Sequence, residues 1–278
     1  MQQQPEEQQR LFLLIRRFCE ALSDALGENL TGIYLHGSAA MGCFSWTTGD
    51  VDCLVVTAAP LGIAAKAAMI DICLALQPLC PPKGVELSVV TKAACEKPQR
   101  NPFFEFHFSP LYAESYAQDP QGQLIRMPKS DPDLIAHFSM VRSRGMTLLG
   151  APPKQVFAPI PRLWLLDSIH GDLADAARNM EDQPVYYVLN FCRALACLED
   201  GQLLSKREGG EWGLRHLPLE YRSLLEAALA AYAGGAPLYI RQYPVHQFIT
   251  EMWSRWKQGR ADEQTGDASE GEDNTIKI

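Results

Sequence analysis

Strand-like segments in this chain are confined to its first part, and that restriction limits the fold more than any other feature. GIYLHG, VDCLVVT and GVELSVVT are short, rich in β-branched residues, and separated by loops or helical patterns. Residues 10–27 carry Leu11, Leu14, Ile15, Phe18, Leu22 and Leu26 at helical spacing, with Gly27 as a stop. Residues 60–77 are Ala-rich and predict another helix. This alternation predicts an α/β layer with a mixed sheet. Residues 95–132, rich in proline and aromatics, have no clear periodicity, and residues 133–147 predict a helix. LLGAPPKQVFAPIP, from Leu148, holds four prolines and reads as a linker. Beyond it only helical patterns follow, over about 163–179, 184–200, 219–233 and 243–258. The expected organisation is an α/β (α+β) domain over 1–158, an all-helical domain over 159–258, and a disordered Gly/Asp/Glu-rich tail over 259–278.

A chain of 278 residues that is 47% hydrophobic can bury a sizeable core. Its net charge of -8 disfavours a phosphate backbone as partner and suits a small cationic substrate. No apolar run is long enough for a membrane span, and Leu11 to Ile15 is too short for a secretory h-region. The eight cysteines form no C-x-x-C and no Cys/His cluster. Reduced, largely buried thiols in a cytoplasmic protein are therefore expected.

The chemistry is concentrated around two turns. Gly37-Ser38 leaves the first strand-like segment, and Asp50-Val51-Asp52 opens the second. Residues i and i+2 of a strand share a face, so Asp50 and Asp52 present two carboxylates side by side. Magnesium takes hard oxygen ligands, typically one or two carboxylates plus substrate phosphates. Gly37 lets the backbone approach a phosphate, and Ser38 offers a hydroxyl and an N–H. Glu86 stands among Val85, Leu87, Val89 and Val90. It is either an outward-facing residue of a half-exposed strand or a third carboxylate beside the Asp pair.

YLHGSAAMGCFSWTTGDVDCLVV resembles the G-S…D-x-D signature of polymerase-β-like nucleotidyltransferases. More closely, it is similar to the aminoglycoside 3''/9-adenylyltransferases, which modify streptomycin and spectinomycin. NFCRALACLEDGQLLSKREGGEWGLRHLP resembles the helical C-terminal domain of that family, so the resemblance covers most of residues 30–235. It implies a polymerase-β-like domain followed by a helical one, and transfer of AMP from ATP to a drug hydroxyl with magnesium, as two ions. Asp50, Asp52 and Glu86 match the metal ligands, and Glu86 also matches the general base at the substrate. Gly37, Ser38, Gly49 and Asp50 match the nucleotide loop. Asp133 and Tyr232 match residues near the nucleotide. Arg193 and Lys206 match basic residues that reach the triphosphate from the second domain. One of Glu181 and Asp182, which are adjacent, matches an acidic substrate contact of the family. Gly49 replaces a serine frequent in the family, and its backbone N–H is expected to substitute. A tryptophan that accompanies streptomycin in some members has no counterpart, since LADAARN occupies that region. The expected acceptor is spectinomycin and/or streptomycin, the missing tryptophan counting against streptomycin and keeping another aminocyclitol open, and the protein is expected to be a monomer.

Other readings stay open on the residues alone. The acceptor is then a protein, an RNA or a metabolite, or the chain is a catalytically silent nucleotide-binding module. Lys206 beside Arg207 and Glu208 fits a solvated charge cluster, Arg193 a structural salt bridge, Asp133 a helix N-cap, and Tyr232 a core residue. His36, Trp46 and Trp212 fit ordinary packing.

Overall fold

The structure of the protein is a computed structural model that describes residues 5–267. Two compact units divide it, residues 1–158 and residues 159–278. The first contains α1 (Pro5–Leu26), β1 (Leu30–His36), α2 (Gly37–Ala40), β2 (Val51–Thr57), α3 (Ile63–Leu76), β3 (Val85–Thr91), α4 (Lys92–Glu96), β4 (Phe106–Phe108), α5 (Pro110–Gln118), α6 (Pro120–Arg126), α7 (Leu134–Arg144), β5 (Met146–Gly150) and α8 (Pro153–Val156). The second contains α9 (Arg162–Ala174), α10 (Ala176–Asn179), α11 (Pro184–Asp200), α12 (Lys206–His216), α13 (Arg222–Tyr232) and α14 (Val245–Asp267).

The first unit is built on a five-stranded sheet of order β4-β3-β2-β1-β5 among the described residues. β2 and β3 run parallel and the other pairs antiparallel, so the sheet is mixed, as the alternating pattern implies. One face carries Ile33, Leu35, Val51, Cys53, Val55, Val85, Leu87 and Val89 into a core with Leu11, Leu14, Phe18, Leu22, Met69 and Ile70. Each such side chain contributes about 1.5–3 kcal/mol on burial, which ties α1 and α3 to that face. On the other face Tyr34 packs edge-on against Phe157, which in turn meets Phe138 of α7. At the end of β1 the same face turns polar, with His36 packed against His137 of α7.

Four expectations need correction. MTLLG, split between a helix and the linker in the sequence reading, is β5, because β1 offers it an antiparallel partner from Gly32↔Gly150 to Leu35↔Met146. The linker also contains the short α8. α12 was not expected, since Gly209, Gly210 and Gly213 each cost a helix about 1 kcal/mol relative to alanine. Here close packing requires them: a Cβ on Gly209 would stand 2.6 Å from Arg193 Cγ, and one on Gly213 2.8 Å from Cys192 Sγ. Ser205 and Glu208 form a capping box that starts this helix. Lastly, α14 continues to Asp267, into the segment expected to be disordered. Arg260 pairs with Asp167, and Glu263 with Arg162 at 2.9 Å, so contacts with α9 hold what composition alone would not. The rest of that predicted tail, 268–278, lies outside the described residues.

All eight cysteines are free thiols. No helix among the described residues is long and apolar enough to cross a membrane.

Candidate active site

Three strands carry one polar row. In the β1–β2 pair His36 stands opposite Asp52, and in the parallel β2–β3 pair Asp52 stands opposite Glu86. Directly opposed residues share a face, so His36, Asp52 and Glu86 are neighbours along the sheet. Asp50 lies two residues before Asp52, and the Val51 N–H donating to Gly84 O at 3.1 Å fixes the entry into β2.

The turn after β1 is shaped around Asp52. Gly37 has φ +61, and a Cβ there would stand 1.8 Å from Asp52 Oδ2. Its backbone conformation favours glycine, and a side chain there would have to displace that carboxylate. Beside it, Ser38 Oγ is buried with no hydrogen-bond partner among the described residues. A buried hydroxyl left unsatisfied costs about 1–3 kcal/mol, so Ser38 has a donor to offer. Gly49 behaves otherwise. Its N–H already donates to Ser45 O at 2.7 Å, so the expected substitute contact is taken. A Cβ there would lie 2.7 Å from the same oxygen, which accounts for glycine at this position.

Asp133 sits at the N-cap of α7, but its side chain makes no capping bond. It pairs instead with His137, Oδ2 to Nε2 at 3.1 Å, one helical turn on. The ring of His137 lies 4.8 Å from that of His36. Burial alone would depress His137, but the Asp133, Glu86 and Asp52 carboxylates outweigh it and push it up to about 10. His36 is buried and held well below its ordinary value by that burial and by His137. Burial raises the Glu86 carboxyl; His137 opposes this, while Asp50, Asp133 and Asp131 add to it. Five carboxylates and His137 therefore share one electrostatic neighbourhood. His137 was missed in the sequence, although its four-residue spacing from Asp133 was visible there.

The second unit holds the basic candidates. Arg193 of α11 donates from Nε to Leu204 O at 2.7 Å and from Nη1 to Asn190 Oδ1 at 3.1 Å. This ties the segment before α12 to α11 and gives Arg193 a structural role whatever else it does. Lys206 opens α12 with its Nζ 4.9 Å from the centre of the Tyr186 ring, an aromatic the sequence reading did not single out. Tyr232 is half-buried at the end of α13. Glu181 and Asp182 are exposed in the turn before α11, and Glu181 lies 3.5 Å from His246 Nε2. Trp212 is buried and donates to Asp200 at 2.6 Å, a packing role.

Comparison with known proteins adds to this geometry. The family model "Aminoglycoside adenylyltransferase, C-terminal domain" matches residues 155–255. A spectinomycin 9-adenylyltransferase of Staphylococcus aureus is 25% identical over 226 residues, covering 77% of this chain and 82% of that protein. One of Campylobacter jejuni is 22% identical over 212 residues, covering 75% and 80%. The solved structure of the Enterococcus spectinomycin adenyltransferase AAD(9), with ATP and spectinomycin, shares the fold at a TM-score of 0.73 and 21% identity, covering 88% of this chain and 99% of that one. The matched C-terminal model and these relatives along most of the chain's length support an aminoglycoside adenylyltransferase family member.

Proposed function

We propose that this protein transfers AMP from ATP to a hydroxyl of an aminocyclitol of the spectinomycin kind. One observation carries the reading: Asp52 and Glu86 are directly paired in the parallel β2–β3 register, beside a turn whose positive φ favours glycine. The pairing supports a division of labour in which one carboxylate would serve a metal and its neighbour the attacking hydroxyl.

Magnesium fits this donor set. Asp50 and Asp52 offer hard oxygens, and among the described residues no three His, Cys, Asp or Glu side chains close into a cage. Magnesium is usually held by one or two carboxylates together with waters and substrate phosphates, so an open pair suits it. Asp50 and Asp52 would hold it, with Glu86 adjacent; when bound, it neutralises charge on the phosphates.

The chain's own residues supply the rest. Glu86, raised by burial, accepts the proton of the acceptor hydroxyl. The freed oxygen bonds to the α-phosphorus, the bond to the bridging oxygen breaks, and pyrophosphate leaves. Ser38 Oγ, buried without a partner, turns to a phosphate oxygen. Arg193 and Lys206 serve the triphosphate, as the family resemblance implies. The collected carboxylates attract a polycationic drug. Spectinomycin is preferred to streptomycin because the relatives of Staphylococcus aureus and Campylobacter jejuni are spectinomycin 9-adenylyltransferases and the streptomycin-associated tryptophan has no counterpart.

The test is purified protein with ATP, magnesium and either drug, read by mass spectrometry for a gained AMP and by pyrophosphate release. Adenylylated spectinomycin is the expected product. Absence of product from both drugs would sink the acceptor assignment, and label moving from ATP onto a protein or RNA would replace it.

A further inference from the structure

Beyond Glu86 a second polar chain runs along the same face. Ser88 follows Glu86 by two residues on β3, so the two side chains point the same way. His107 of β4 is the cross-strand partner of Ser88. Ser88 Oγ lies 2.9 Å from His107 Nδ1, and the opposite ring nitrogen, Nε2, lies 3.8 Å from Glu86 Oε1. The imidazole thus stands between a buried hydroxyl and the carboxylate assigned as base.

The ring is held firmly for a residue on a three-residue edge strand. Ser88 is buried. Phe104 and Tyr112 flank the imidazole at centroid distances of 5.9 and 6.0 Å. The Tyr116 hydroxyl donates to the His107 carbonyl at 2.8 Å. A neutral imidazole that accepts the Ser88 hydroxyl at Nδ1 carries its own proton on Nε2. That N–H faces Glu86. The Glu86 side chain, by contrast, is 43% exposed.

We propose that His107 is a positioning residue: its Nε2–H, set by Ser88, holds one oxygen of Glu86 so that the other faces the acceptor hydroxyl. The separation of 3.8 Å exceeds a hydrogen bond, but a small turn of the Glu86 side chain closes it. Catalytic hydrogen bonds are often long before substrate arrives and tighten in the complex. The inference rests on Glu86 being the base, and it identifies a residue outside the G-S…D-x-D pattern as part of the same apparatus.

The test exploits the geometry of amides. A glutamine at 107 reaches about as far as Nε2 and keeps an N–H for Glu86; an asparagine reaches only about as far as Nδ1 and keeps the Ser88 contact alone. Steady-state adenylylation of spectinomycin is measured for His107→Gln, His107→Asn, Ser88→Ala and Glu86→Gln, each with a thermal unfolding curve. His107→Asn is expected to lose kcat by about tenfold with KM for ATP unchanged, and His107→Gln to stay within about threefold of wild type. Equal loss in both variants, or no loss in either, would overturn the role. If His107→Asn does not fold, Ser88→Ala decides: it should lower kcat by about threefold, and an unchanged kcat overturns the proposal. Glu86→Gln separates the two levels. If it stays active, the base assignment falls and His107 falls with it; if it is dead while Asn and Gln at 107 behave alike, only the positioning role falls.

Discussion

In the N-terminal unit the acidic side chains ride on β2 and β3, and their spacing is set by backbone pairing between strands. In the C-terminal unit the basic side chains stand on α11 and the first turn of α12, placed by side-chain bonds and a helix cap. The two modes of support fail differently. A ladder fixes Asp52 beside Glu86 so long as β2 and β3 keep register, and slipping one residue would turn every side chain to the other face. A helix start depends on individual contacts, each worth about 1 kcal/mol, and can shift without unfolding the unit. Under the proposed function, metal and proton chemistry would use the rigid mode and a flexible triphosphate the adjustable one.

The sharpest way to break this contrast is Gly37→Ala. The added Cβ meets the far end of the Asp52 side chain, which can swing away, so the fold survives while the carboxylate moves. The residue would also sit at φ +61, costing about 1–2 kcal/mol. Activity should fall by about 100-fold, because displacing a reacting constellation by about 1 Å has that effect. Thermal unfolding should show only a modest drop. A variant that stays active would mean that the Asp52 position does not need the glycine turn.

These supports were unequally visible in the sequence. Asp50 and Asp52 share a face by the period of a strand, which is local information. That Glu86 pairs with Asp52 is not local: it depends on β3 lying next to β2, in parallel, and the residues around Glu86 left an exposed position equally open. β5 was hidden because its strand state comes from β1, some 110 residues away, while its own neighbours are glycine and prolines. The reach of α14 was hidden in the same way, since Arg260 and Glu263 are surface-like letters until Asp167 and Arg162 stand opposite them. The hydrogen bond from the Gly49 N–H to Ser45 O was hidden too, since no motif records it.

A smaller effect sharpens the comparison on the helical side. Lys206→Met keeps the stem over Tyr186 but removes the charge. KM for ATP should rise by about tenfold, the size of one charge-assisted hydrogen bond, with the unfolding midpoint nearly unchanged. Arg193→Met should do something else. It strips the donor from Leu204 O and destabilises the unit by about 1–3 kcal/mol before any nucleotide is bound. Steady-state kinetics and thermal unfolding on the two variants separate the roles. If Arg193→Met leaves stability untouched, the contact to Leu204 is incidental and Arg193 belongs wholly to the ligand.

The smallest effect is expected at the acidic residues outside the sheet. The Glu181 side chain is 66% exposed and its neighbour His246 is 3.5 Å away, so water and salt screen it. Asp182 is exposed as well. Glu86, on the strand row, sits where burial and three neighbouring aspartates already raise its carboxyl. Glu181→Gln and Asp182→Asn should therefore raise KM for spectinomycin by only about two- to threefold, and only at low ionic strength, the mark of long-range attraction. Titrating KM against salt for each variant measures this directly. A rise beyond about tenfold that persists at high salt would mean that the drug buries one of these carboxylates on binding, because only a desolvated charge pair resists screening. In that event the acidic contacts of the helical unit would belong with the strand row in kind, and the division between rigid and adjustable support would run between acids and bases rather than between the two units.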